Sequence, residues 1–222
     1  MTSPRVIAID GAAGSGKSTL ARGLARALGL PYVNTGTMYR ALTLVALDDG
    51  VDPDDGPALA DLMSRLRFGM SNGEPPELEI EGSAPSPALE SDRVEAQVST
   101  VARHPEVRAL MRAAQRRLGL PEAVVEGRDI GTIVFPDAPV KLFLTAAAKT
   151  RVDRRAEERG RAGSNVGESL HLRDERDARV NPFEPAVGAI ILDTSDRTVE
   201  ETLRLAIALA REGIPELPEV SP

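Results

Sequence analysis

The chain of 222 residues is 41% hydrophobic and carries 27 basic against 34 acidic side chains, a formal net charge of -7. That much apolar material can build a packed core, which excludes disorder as an overall description, and the negative balance has the wrong sign for a protein held to nucleic acid or anionic lipid by bulk electrostatics. With no cysteine, and with His104 and His171 in no metal-ligand spacing, disulfides, thiolate metal sites, Cys nucleophiles, His-rich metal centres and a Ser-His-Asp triad are all excluded or unexpected.

In chain order, Val6–Ile9 is a short apolar run ended by Asp10, too short for the hydrophobic region of a signal peptide. No stretch approaches membrane-spanning length, so a cytoplasmic protein is expected. Gly11-Ala12-Ala13-Gly14-Ser15-Gly16-Lys17-Ser18 follows directly, then an amphipathic run through Leu20, Leu24, Ala27 and Leu28. Thr35–Tyr39 reads as a turn opening a second helix, with Arg40 just inside it. Residues 69–92 hold four prolines, but Leu78–Glu81 alternates as a half-exposed strand should, and Asn72-Gly73 signals a turn after Arg67–Met70. A small antiparallel insert is the expectation there.

Pro105 suits the first turn of a helix running to about Leu118, with Val107, Leu110, Met111 and Ala114 on its buried side. Ala123–Glu126, Val140–Leu144 and Ala189–Asp193, like Val6–Ile9, look like strands buried on both faces. A last helix is capped by Thr198 with Glu201, lines Val199, Leu203, Ala206, Ile207 and Ala210 along one face, and is stopped by Gly213 and Pro215. Strands alternating with helices point to an α/β fold, a parallel sheet flanked by helices. Acidic residues concentrate between Asp48 and Asp92, where twelve face two arginines, while the arginines cluster in 103–128 and 151–179.

The octapeptide from Gly11 to Ser18 matches the phosphate-binding pattern G-x-x-x-x-G-K-[ST] in its required place between a strand and a helix. Glycines let successive N–H groups face a phosphate, and the following helix adds positive potential. Lys17 would bridge the β- and γ-phosphates of ATP, and the Ser18 hydroxyl would ligate magnesium. A tight strand-to-helix turn explains the glycines but not Lys17 and Ser18. A dinucleotide loop fails at its third glycine, where Thr19 stands, and no Asn-Lys-x-Asp reads guanine.

What accepts the phosphoryl group stays open at this level: water, a protein, a small metabolite or a nucleotide. A phosphorylated acceptor requires several arginines converging from separate elements. Arg40, Arg108 and Arg128 are candidates, and Arg128-Asp129 should stand at the carboxyl end of a parallel strand, where such sheets bind ligands.

Six stretches, Ile9–Thr19, Thr35–Arg40, Val98–Arg108, Glu126–Asp137, Arg173–Asp177 and Ile191–Thr194, together resemble the bacterial-type cytidylate kinase family. They stand in the family's order and span almost the whole chain, and Gly127–Pro136 is the most discriminating run. The resemblance implies a nucleoside monophosphate kinase that transfers the γ-phosphoryl group of ATP to CMP or dCMP with Mg2+. It implies further that Gly11 to Thr19 bind ATP, that Ser99, Arg108 and Asp129 read the cytosine edge, that Arg40 and Arg128 hold the acceptor phosphate, and that Asp177 binds the sugar. Thr35 falls where the family usually has Ser, preserving the hydroxyl. The family usually has a phosphate-binding Arg three residues after the position of Asp177; here that position is Val180, with Arg179 one step earlier. Arg155, Arg173 and Arg176 would be lid contacts that stabilise charge on the transferring group, beside Lys17 and Arg128.

The implied organisation is a single unit with a core (1–66, 93–150 and 180–222), an insert (67–92) and a lid (151–179), monomeric and without nucleic acid or membrane partners. An acceptor phosphate is mostly ionised at neutral pH, its second pKa being about 6, so positioning and charge neutralisation suffice without a strong general base. The rivals are a kinase of the same fold for UMP, AMP or shikimate, a non-catalytic ATP-binding module, and a nucleic-acid-associated ATPase. The last is disfavoured by the charge and by only six aromatic residues.

Overall fold

The computed structural model describes residues 4–158 and 184–217. In chain order it runs β1 (Arg5–Gly11), α1 (Lys17–Leu28), β2 (Tyr32–Asn34), α2 (Thr35–Asp48), α3 (Gly56–Arg65), β3 (Phe68–Met70) and β4 (Leu78–Ile80). It continues with α4 (Asp92–Ala102), α5 (Pro105–Gly119), β5 (Glu122–Glu126), β6 (Val140–Thr145), α6 (Ala148–Glu158), β7 (Ile190–Asp193) and α7 (Val199–Gly213). Five strands form one sheet in the order β2-β5-β1-β6-β7, every pairing parallel. The α/β expectation of a parallel sheet flanked by helices holds.

The apolar run of β1 is unbroken because both of its faces are covered. Val6 and Ala8 join Met38, Leu42 and Met111 in one apolar layer, while Ile7 and Ile9 join Leu20, Leu24 and Ala206 in the layer on the other face. Alternation along the strand thus feeds two cores at once.

Three burial expectations are corrected. β7 is not buried on both faces: it is an edge strand with one neighbour, and only Leu192 is buried while Ile191 is 59% exposed. On α5, Val107, Met111 and Ala114 are buried as expected, but Leu110 is 39% exposed and Gln115 only 2%. The helix is rolled toward Gln115, so Leu110 falls outside the buried stripe. On α7, Val199 is exposed, because the helix meets α1 only a turn later, where Leu203 lies over Gly23. The capping box is as expected: Thr198 accepts from the Glu201 N–H, and Glu201 accepts from the Thr198 N–H.

β3 and β4 pair antiparallel, Phe68 opposite Ile80, and bury Phe68 and Leu78 in the layer that holds Met38. The small antiparallel insert is therefore present. Ser71 closes its loop by accepting from the N–H groups of Gly73 and Glu77. Residues 35–39 are already the first turn of α2, capped by the Asn34 side chain accepting from Thr37 N–H at 3.0 Å. His104 occupies the N-cap position of α5 without a side-chain cap bond, its Nε2 lying instead 2.9 Å from the Pro53 carbonyl.

Candidate active site

The phosphate loop leaves β1 at the centre of the sheet, flanked by the carboxyl ends of β5 and β6. Three side chains from distant elements and the loop's own Lys17 hold its carbonyls. Arg128 donates to Gly11 O at 2.8 Å, Lys17 to Ala12 O at 2.7 Å, Arg151 to Ala13 O at 3.2 Å and Thr194 to Ser15 O at 3.1 Å. Peptide units whose carbonyls are held this way turn their N–H groups to the other side of the loop, the arrangement an anion needs. Gly14 has φ +73°, and a Cβ there would sit 2.7 Å from the backbone oxygen of Arg151, so α6 packs directly on the loop. Arg154 of the same helix donates to the hydroxyl and carbonyl of Thr194 at 2.9 and 2.7 Å, bracing the support at Ser15.

Below the loop, Glu126 ends β5 opposite both Ile9 and Asn34 in the strand register. Its Oε2 accepts from the Ser18 hydroxyl at 3.0 Å, its Oε1 from the Tyr32 hydroxyl, and its backbone carbonyl from the Thr35 hydroxyl at 2.7 Å. Burial and the neighbouring Glu126 charge push the Tyr32 hydroxyl well above its ordinary pKa, so it stays a donor. Asp10 accepts from the N–H groups of Ile130 and Gly131 at 2.8 and 2.7 Å, which anchors the turn after Arg128-Asp129. Burial raises the Asp10 pKa, and those two hydrogen bonds oppose the shift.

Two further groups converge on the same opening. Arg40, nearly buried, donates to Leu89 O at 3.0 Å and pairs with Glu95, whose Oε2 also lies 3.3 Å from Arg155. Glu90 lies 3.5 Å from Arg40 and 3.8 Å from Arg155. On the far side, Asp129 Oδ2 is 2.9 Å from Arg108 and 3.4 Å from Arg112. Tyr39 lies beside them with its pKa pushed up to about 12 by burial and then by the Asp129 charge.

Tyr39, Arg40, Glu90, Arg108, Asp129 and Arg155 line one cleft with the phosphate loop, of about 220 Å³, while Glu95 and Arg112 stand behind it. Of the expected site residues it gathers Ala13, Gly14, Gly16 to Thr19, Thr35, Arg40, Ser99, Arg108, Arg128, Asp129 and Arg155. Gly11 and Ala12 stand behind it as carbonyl acceptors, and Ser15 is wholly buried with its hydroxyl unpartnered. Arg173, Arg176, Asp177 and Arg179 lie outside the described residues. Sequence reading assigns no role to Glu126, Glu95, Arg112 or Arg151, all of which hold groups of the site. The only local signal at Glu126 is a carboxylate closing the apolar run Ala123–Val125.

The family model described as cytidylate kinase matches residues 7–212, a span that contains the phosphate loop, the arginines of α2 and α5 and the Glu126–Asp137 run. The chain belongs to the cytidylate kinase family. The cytidylate kinase of Mycolicibacterium paratuberculosis is 42% identical to it over 213 residues, covering 91% of this chain and 93% of that one. Those of Exiguobacterium sibiricum and Deinococcus radiodurans are 40% and 42% identical, covering 94% and 89% of this chain and 97% and 95% of theirs. Both halves of the cleft, phosphate loop and Arg108-Asp129 pair, therefore lie within the cytidylate kinase match.

Proposed function

We propose that this protein transfers the γ-phosphoryl group of ATP to the phosphate of CMP and dCMP by direct in-line displacement. The observation that carries the reading is one cleft in which Lys17 and Ser18 of a phosphate loop stand together with Arg40, Arg128 and the Arg108–Asp129 pair. A loop with its lysine cradles the donor, arginines from other elements take the acceptor phosphate, and a guanidinium beside a carboxylate matches the acceptor and donor edge of cytosine.

Magnesium fits the residues present. The Ser18 hydroxyl and Glu126 carboxylate are adjacent hard oxygen donors, and no cluster of three His, Cys, Asp or Glu exists among the described residues to form an all-protein cage. Ser18, backed by Glu126, would hold the ion, which when bound with ATP neutralises charge on its phosphates. Lys17 then spans the transferring group, while Arg155 approaches from α6, and Arg173 and Arg176 would complete the lid. Arg40 and Arg128 orient the acceptor so that its oxygen lies in line with the γ-phosphorus. Ser99, Thr35, Asp177 and Arg179 complete the acceptor set in this reading. It takes the chain as one kinase unit of core (1–66, 93–150 and 180–222), insert (67–92) and lid (151–179), working as a cytoplasmic monomer. No helix among the described residues is long and apolar enough to cross a membrane.

A coupled ADP-release assay with MgATP tests the reading, with CMP, dCMP, UMP, AMP and no acceptor run in parallel. Turnover concentrated on CMP and dCMP is the expected result. Activity on another acceptor alone would sink the cytosine pocket, and acceptor-independent turnover would remove the protein from the nucleotide kinases.

A further inference from the structure

We propose that Arg112 is a specificity-determining positioning residue, holding Asp129 so that the carboxylate selects an acceptor base that carries an exocyclic amino group. The inference rests on the reading of Asp129 as the group that meets the base. Arg112 stands one helical turn after Arg108 on α5, so both guanidiniums reach out from the same helix face. They meet the same oxygen, Arg108 at 2.9 Å and Arg112 at 3.4 Å from Asp129 Oδ2. The Asp129 carbonyl is held as well, accepting from the N–H groups of Ile133 and Val134 at 2.9 and 3.1 Å. Oδ1 takes no hydrogen bond from the described residues.

A carboxylate tied through one oxygen by two cations, on a backbone that is itself fixed, has little freedom to rotate. What it presents to a ligand is Oδ1, an acceptor without a proton. An amino group donates to it. A carbonyl in the same place sets lone pair against lone pair and leaves the protein group unpaired, which is how a site built to hydrogen-bond one substituent rejects its isostere.

Arg108 cannot supply this constraint alone, because it lines the cleft beside Asp129 and is itself the donor available to a base carbonyl. Arg112 is not among the residues lining the cleft, and its Nε is buried without a partner. A guanidinium that leaves one buried N–H unsatisfied while reaching a carboxylate is placed by that carboxylate. Arg112 therefore stays behind as the anchor when Arg108 turns to the ligand.

The test compares kcat/KM for CMP and for UMP, at saturating MgATP, in the unaltered protein and in Arg112→Met, Arg112→Lys and Asp129→Asn. Methionine keeps the apolar stem of Arg112 in place, and lysine keeps the charge without the planar fork. The expected result is a fall of about tenfold in the CMP:UMP ratio for Arg112→Met, with Arg112→Lys between it and the unaltered protein. A purely structural role would lower both substrates together and leave the ratio unchanged. An unchanged ratio in Arg112→Met, with the ratio lost in Asp129→Asn, overturns the inference and leaves the reading of the site standing. An unchanged ratio in Asp129→Asn overturns that reading of Asp129, and the role of Arg112 with it.

Discussion

The Ser18 hydroxyl donates to Glu126 Oε2 at 3.0 Å, joining the first turn of α1 to the last residue of β5. The other carboxylate oxygen is fixed by the Tyr32 hydroxyl, which in turn accepts from the Asn34 side chain at 3.3 Å. Tyr32→Phe keeps the ring in its core layer and removes only the donor that orients Glu126. Groups that orient a ligand of a metal commonly matter about 10- to 100-fold, so kcat is expected to fall about tenfold and the Mg2+ needed for half-maximal rate to rise, with the KM for CMP little changed. A Mg2+ titration of initial rates, run beside a thermal melt, checks this; an unaltered Mg2+ requirement would show that the tie is only structural.

Lys17 stands in the first turn of α1 with its ammonium 2.7 Å from the Ala12 carbonyl and lines the cleft. It supplies positive charge at the place where the transferring group must pass. Lys17→Ala is expected to cost at least about a hundredfold in kcat, the scale of a lost charge-stabilising donor, while the melting temperature stays close to that of the parent. Single-turnover rates at saturating ATP separate this from weakened binding, and near-normal turnover would end the mechanism.

Gly127 sits where β5 meets α2. A Cβ there would lie 2.5 Å from Thr35 Oγ1 and 2.7 Å from Ile130 Cδ1. The same threonine hydroxyl donates to Glu126 O at 2.7 Å, so relief of the clash must pull the site apart or distort the core. Gly127→Ala is expected to destabilise the fold by about 1–3 kcal/mol, the usual cost of overpacking, and denaturant unfolding reads it directly.

The capping box of α7 predicts a pH dependence. Hydrogen bonds with the Thr198 N–H and side chain hold the exposed Glu201 carboxyl below its ordinary pKa of 4.5. A carboxyl lowered in the folded state contributes stability above its unfolded pKa, and that contribution is lost as pH falls through the folded value. Glu201→Gln should therefore be less stable than the parent at neutral pH, with the difference shrinking below about pH 4.5. Thr198→Ala, which removes the cap itself, should cost roughly 1 kcal/mol at neutral pH. Melting temperatures of the three proteins across the acid range decide the matter.

Four of the five sheet strands, the capped last helix and the phosphate loop were legible because their signals are local, whereas the three-residue β2 is too short to carry a period. Val6–Ile9 announces a strand covered on both faces, and Gly11 to Ser18 carries its chemistry within eight consecutive residues. Burial at the margins was less legible. Leu110 and Gln115 flank the same stripe of α5, and only the roll of that helix on its neighbours decided that the polar one is buried.

Glu126 and Arg112 were not legible for a different reason. A glutamate closing an apolar run and one arginine among 24 look ordinary alone, and each becomes part of the site only through partners far away in sequence. Glu126 meets Ser18 from 108 positions earlier and Tyr32 from 94, and Arg112 meets Asp129 from a separate element. Hydrophobic period and loop chemistry act over a few residues, so the chain alone settles them. Which cation faces which carboxylate depends on how β1, β5, α1 and α5 converge at the carboxyl edge of the sheet, and that is decided only when the two apolar layers pack.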